Sequence, residues 1–172
     1  MNSRRHFLQS ATALGAILAL PALRAQQPSA PAAPATGVPK RPPPLAPELV
    51  KEFVGAAHGD LAKTQALLAE QPHLINATWD WGGGDFETAL GGASHMGRRD
   101  IAQFLLGQGA RPDVFALAML GHLEAVQAIV AARPEVLRCP GPHGIPLIVH
   151  AQKGGAEAAG VVEFLQRVSV AG

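Results

Sequence analysis

The stretch Thr88-Ala89-Leu90-Gly91-Gly92-Ala93-Ser94-His95-Met96-Gly97-Arg98-Arg99-Asp100-Ile101-Ala102-Gln103-Phe104-Leu105-Leu106 decides how this chain folds. A short apolar segment ends at Gly97, a second begins at once, and the apolar pair Leu105-Leu106 stands eight residues after that glycine. The same offset joins Gly59 to Leu67-Leu68 and Gly121 to Ile129-Val130. Gly154 opens a fourth copy in which Phe164-Leu165 comes two residues late, which predicts a small insertion or a distorted turn. A helix pair with one apolar stripe cannot bury it alone, so the pattern predicts stacked pairs. The fold class expected is therefore all-α, with about four helix-turn-helix units over residues 47–168. Leu61, Leu67, Leu68, Leu90, Ile101, Phe104, Leu105, Val126, Ile129, Leu147, Val162 and Phe164 are expected to form one continuous interior.

These residues resemble the ankyrin repeat, a two-helix unit plus β-turn with a Thr-Pro-Leu-His start. Thr88-Ala89-Leu90 matches that start, Ala93-Ser94 supplies the two small residues, and Gly109-Ala110 closes the unit. Gly121-His122-Leu123-Glu124 and Pro146-Leu147 carry the resemblance onward, while Gly91 and Ile148 stand where the family has histidine. The resemblance implies an ankyrin-type repeat solenoid with irregular fingers. From Gly59 to Gly97 is 38 residues, room for an enlarged finger over Asn76 to Phe86. From Gly97 to Gly121 is only 24, so one β-finger is deleted and the chain enters the next helix through Arg111-Pro112-Asp113. Such an architecture implies binding in general and no chemistry in particular.

Ahead of the array, Ser3-Arg4-Arg5-His6-Phe7-Leu8-Gln9 precedes an apolar run from Ala11 to Leu20 and then Pro21-Ala22-Leu23-Arg24-Ala25. A basic start, a short apolar middle and a small residue at the end read as a secretory signal over residues 1–25, with cleavage after Ala25. Its paired arginines resemble the twin-arginine export signal, with Gln9 where that pattern has lysine. That places the protein in the periplasm or outside a bacterial cell, touching the membrane only transiently during export; retention as an anchor is the alternative. Prolines at 28, 31, 34, 39, 42, 43 and 44 make residues 26–46 an extended linker without helix or central strand, and residues 169–172 are read as a tail. Of the 172 residues, 14 are Lys or Arg and 13 are Asp or Glu. Removal of Arg4, Arg5 and Arg24 leaves 11 basic side chains against 13 acidic, so nothing recommends nucleic acid. The single cysteine, Cys139, closes no internal disulfide.

The enlarged finger concentrates unusual residues. Trp79, Asp80, Trp81, Asp85 and Phe86 flank three successive glycines, in a chain only 5% aromatic. Tryptophan is favoured at binding hot spots, so these residues, with Glu87, His95, Met96, His143 and His150, are expected to bind a protein partner. The bland counterpart is that Trp79, Trp81 and Phe86 fill the gap left by the deleted finger. His58 and His122 flank turn glycines and are explained by turn hydrogen bonding; His73 lies in a solvated loop. His150 replaces a small buried residue and needs a partner, most simply a loop carbonyl. No histidine pair has zinc-site spacing, so no metal and no cofactor are expected. No nucleophile elbow or carboxylate pair organises an active site, so an enzyme is not expected. The leading expectation is an exported module mediating protein–protein interaction in the cell envelope, protecting or assisting a periplasmic enzyme. The alternative is a small-molecule or hydrolytic site at the finger with His95, His143 and His150.

Overall fold

The computed structural model describes residues 42–170. The signal over 1–25, the cleavage at Ala25 and the linker up to residue 41 lie outside the described residues. Eight α-helices dominate these residues, so the all-α expectation holds: α1 Pro47–Ala56, α2 Leu61–Glu70, α3 Ala89–His95, α4 Arg99–Gly107, α5 Val114–Met119, α6 Leu123–Ala132, α7 Leu147–Lys153 and α8 Ala159–Val170. Helix α8 runs into the expected tail. Local chemistry sets several of the starts. Pro47 opens α1, where a missing N–H costs nothing. Asp60, Thr88 and Asp113 cap α2, α3 and α5, accepting the N–H of Lys63 at 2.9 Å, Gly91 at 3.0 Å and Ala116 at 2.8 Å.

The helices associate as four pairs, α1 with α2, α3 with α4, α5 with α6 and α7 with α8. Successive first helices pack side by side in the order α1, α3, α5, α7, while α2 meets α4 and α6 meets α8. Gly97 (φ 70°) and Gly121 (φ 79°) make the turns of the second and third pairs. A Cβ at Gly121 would strike the carbonyl of Glu157, so only glycine fits. In the fourth pair the left-handed glycine is Gly155, followed by an extra 3-10 turn over Gly155–Ala158. That is the delay foreseen after Gly154. It rotates α8, so that Val161 and Leu165 are buried and Val162 and Phe164 only half-buried.

The expected single interior is instead two clusters, divided by α5. Ala116, Met119 and Leu120 join Phe53, Val54, Leu74, Leu90, Ile101 and Leu105 on one side. Ala118, with half-buried Val114, Phe115 and Leu117, joins Val126, Leu147 and Leu165 on the other. Of the twelve positions expected inside, Leu68, Leu90, Ile101, Leu105, Val126 and Leu147 are buried. Leu61, Leu67, Phe104, Ile129, Val162 and Phe164 are half-buried, because α2, α4, α6 and α8 each keep one face in water.

The enlarged finger is an antiparallel hairpin, β1 Thr78–Asp80 with β2 Phe86–Thr88, pairing Thr78 with Thr88, Trp79 with Glu87 and Asp80 with Phe86. After α4 the chain passes through Arg111, Pro112 and Asp113 into the six-residue α5, held by the Arg111 N–H to Asn76 Oδ1 at 2.8 Å. A cleft of about 240 Å³ remains there between Thr78, Thr88, Arg111 and Pro112, and neither tryptophan lines it. Beyond the short α5, α7 reaches back to touch α3. That approach builds the site.

Candidate functional site

Side chains alternate across a strand, so while Phe86 is 62% exposed its neighbour Glu87 turns inward and is 1% exposed. The Glu87 side chain then runs along α3 past Gly91 to His95. Gly91 and His95 are four apart on one face of α3, and Glu87, in the strand just before the helix, reaches along that face. Gly91 and Gly92 make this course available. A Cβ at Gly91 would lie 3.2 Å from Glu87 Cγ and 3.4 Å from Pro142, and one at Gly92 only 2.8 Å from His58 Cε1. Two glycines inside a helix cost roughly 1 kcal/mol each relative to alanine, a sacrifice the packing of Glu87 and His58 accounts for.

Three imidazoles converge on this carboxylate. His95 Nε2 is 3.0 Å from Oε1, His58 Nε2 3.3 Å from Oε2 and His143 Nε2 3.4 Å from Oε2. Trp81 Nε1 donates to Oε2 at 2.7 Å. The His95 contact is close but is not a hydrogen bond: Glu87 Oε1 and His95 Nε2 are both wholly buried and, among the described residues, neither has a hydrogen-bonding partner. The four residues come from α1's end, the hairpin, α3 and the loop before α7. One ligating atom from each of the four lies within 4.8 Å of the other three.

Outer partners orient two of the rings. His58 Nδ1 lies 3.0 Å from the Val54 carbonyl, an acceptor only, so Nδ1 carries the proton there. Asp85 takes both N–H groups of His143, the backbone N–H at 2.8 Å and ring Nδ1 at 2.6 Å. That grip holds His143 in the left-handed region (φ 58°), the sole non-glycine with positive φ among the described residues. Left-handed backbone costs a non-glycine residue about 1–2 kcal/mol. When neutral with the proton on Nδ1, His58 and His143 would turn Nε2 lone pairs toward the cluster.

Electrostatics follow the geometry. Burial pushes the Glu87 carboxyl up, but the surrounding groups of His58, His95 and Trp81 and the charge of His58 prevail, lowering it to about 2. The contact with Glu87 raises His58 despite partial burial. The backbone N–H of His143 lowers the Asp85 carboxyl, helped by the His143 ring against slight desolvation.

His150 lies behind His95, ring centroids 6.4 Å apart, and against Phe115 at 4.8 Å. It is fully buried and, among the described residues, neither ring nitrogen has a partner. The expected bond to a loop carbonyl does not form, because Gly141 approaches with no side chain and Phe115 covers the ring; a Cβ at Gly141 would lie 2.9 Å from Nε2. Burial, with the charge of His95 adding, lowers the His150 pKa to about 4.

The residues expected at the finger therefore divide. Trp81, Asp85, Glu87, His95 and His143 come together. His58, assigned to turn bonding alone, makes that bond and joins them. Asp80 stays at the hairpin tip, its Oδ1 accepting the N–H groups of Gly82 at 2.9 Å and Gly84 at 3.1 Å. Trp79 packs against the first core cluster beneath Lys51, whose Nζ is 5.7 Å from the ring centroid. Phe86 and Met96 face solvent. Against the expectation of no metal-ligand pattern, the fold assembles three histidines and a glutamate from four elements.

No protein-family model matches this sequence, and no curated protein matches it.

Proposed function

We propose that this chain is an exported, ankyrin-type repeat protein of the bacterial cell envelope that captures a small ligand with a positively charged centre at Glu87. The twin-arginine-like start and the proline linker support export, and the pairwise helix stacking with its glycine turns supports the repeat reading. No helix among the described residues is long and apolar enough to cross a membrane. The observation that carries the reading is the buried Glu87 Oε1, without a hydrogen bond among the described residues, in a carboxylate ringed by His58, His95 and His143. A buried carboxylate oxygen is costly to leave without a hydrogen bond, and a cationic ligand would meet that need at Oε1. On this reading Trp81 is a wall of the site, its N–H committed to Glu87. Exposure of Phe86, Met96 and Trp81 favours a second reading, docking of a protein partner beside the same site. Native mass spectrometry of the chain recovered from the periplasm separates the two. A small bound mass, lost in Glu87→Gln, is expected; a stoichiometric protein without that mass would favour docking.

A further inference from the structure

The geometry points to a metal centre: we propose that His58, His95 and His143, through Nε2, and the Glu87 carboxylate bind one divalent d-block cation, with Zn²⁺ the best-suited occupant. The inference rests on reading the cluster as the ligand site and names the ligand's class.

Four observations carry it. The donor set is three imidazoles and one carboxylate with no thiolate, which suits zinc and its neighbours and disfavours the oxygen-seeking Mg²⁺ and Ca²⁺. The contacts of 3.0 Å from His95 Nε2 to Oε1 and of 3.3 and 3.4 Å from His58 and His143 Nε2 to Oε2 each have the length of a tetrahedral edge, though they end on two oxygens, and one donor from each residue lies within 4.8 Å of the other three. Metal–ligand bonds of roughly 2.0–2.1 Å give such edges of about 3.3 Å. Next, the outer partners hold the protons away from the centre. Val54 carbonyl takes His58 Nδ1 and Asp85 takes His143 Nδ1, the arrangement that orients metal-bound histidines. Neutral imidazoles so oriented would set lone pairs against a carboxylate, which a shared cation resolves. Finally, Glu87 Oε1 and His95 Nε2 are wholly buried and adjacent, with no hydrogen bond among the described residues, while Trp81 donates to Oε2. Charge closes as well: a dication with the Glu87 and Asp85 carboxylates sums to zero and leaves all three rings neutral.

The test uses the full-length chain, stripped with a chelator and titrated with Zn²⁺ by calorimetry and with Co²⁺ by visible absorption. One Zn²⁺ per chain with a Kd tighter than about 1 μM is expected, since preformed imidazole sites bind strongly. Co²⁺ should give a d–d band of tetrahedral intensity. Asp85→Asn, which loosens His143 without removing a ligand, should weaken binding by about 10-fold or more. His143→Ala, at an exposed loop and checked for native circular dichroism, should weaken it further, and Phe86→Ala not at all. No saturable uptake, or uptake unchanged in both Asp85→Asn and His143→Ala, overturns the proposal. Should the stripped chain ignore metals while mass spectrometry finds an organic cation lost in Glu87→Gln, the metal falls and the functional reading stands. Absence of both ends both.

Discussion

Helices α3 and α5 hold equivalent places, each the first of its pair and each packed between two other first helices, yet they are built from opposite materials. Helix α5 is Val114-Phe115-Ala116-Leu117-Ala118-Met119, apolar throughout and turned toward both core clusters. Helix α3 is Ala89-Leu90-Gly91-Gly92-Ala93-Ser94-His95, with a double glycine and a buried histidine. The first material fills space and the second yields it. One position in a stack can thus serve the core or a site, depending on whether its side chains reach out or let neighbours in.

The largest test of the contrast removes contact from α5. Met119→Ala should cost about 2–5 kcal/mol, the range for deleting a fully buried large side chain, read from the midpoint of urea unfolding. A loss under about 1 kcal/mol would mean the α5 wall is loosely packed.

Next comes His150 of α7, which touches Phe115 of α5 and stands behind His95 of α3. Its pKa is lowered from 6.5 to about 4, so it stays neutral in the fold while the unfolded chain binds a proton. Stability should therefore fall as pH drops from about 6.5 toward 4, by about 3 kcal/mol from this group. The titratable side chains acting on it are His95 and Glu87. His150→Leu should flatten that part of the pH–stability curve and hold or raise stability at neutral pH. An unchanged slope would assign the acid sensitivity elsewhere.

A smaller effect compares two helical glycines. Gly55 in α1 has open space about it, so Gly55→Ala should gain up to about 1 kcal/mol. Gly92→Ala gains the same propensity but drives a methyl into the His58 ring, so its thermal midpoint should stay level or fall while His58 becomes more reactive to diethylpyrocarbonate. Equal gains at both would deny that α3 is shaped for the cluster. Smallest is Asp113→Asn at the start of α5. Burial raises the Asp113 carboxyl, opposed by the N–H groups of Ala116 and Phe115. Its charge therefore costs stability above its folded pKa, and the cost disappears as pH falls. Asparagine caps as well without the charge, so a gain of about 0.5 kcal/mol at pH 7 that vanishes in acid is expected.

The helix pairs were legible because a turn glycine followed at a fixed offset by an apolar pair is a local pattern. The hairpin was legible too, from tryptophans and glycines crowded into one gap. The cluster was not, since its members stand at 58, 87, 95 and 143 and meet only through the side-by-side stacking of first helices. Even so, a signal was present in α3: Gly91 and His95 lie four apart on one helix face directly after the acid Glu87, and Gly91 with Gly92 inside a helix asks for a reason. Gly91 was noticed only as a missing histidine. The burial of His150 was foreseen, but its lack of a partner was not, because it depends on how Gly141 and Phe115 close over the ring. The division of the core depended on the short α5, which apolar periodicity cannot measure.

A linear array of nearest-neighbour modules ordinarily frays from either end, each unit opening on its own account. Asp85 and His143, 58 residues apart, act here as a clasp that bypasses the third pair. Melting that pair by itself would wrench the clasp, and opening the fourth would release the hairpin in the second. The same side chains that shape the cluster thereby tie the second pair to the fourth, a link that favours collective over piecemeal opening.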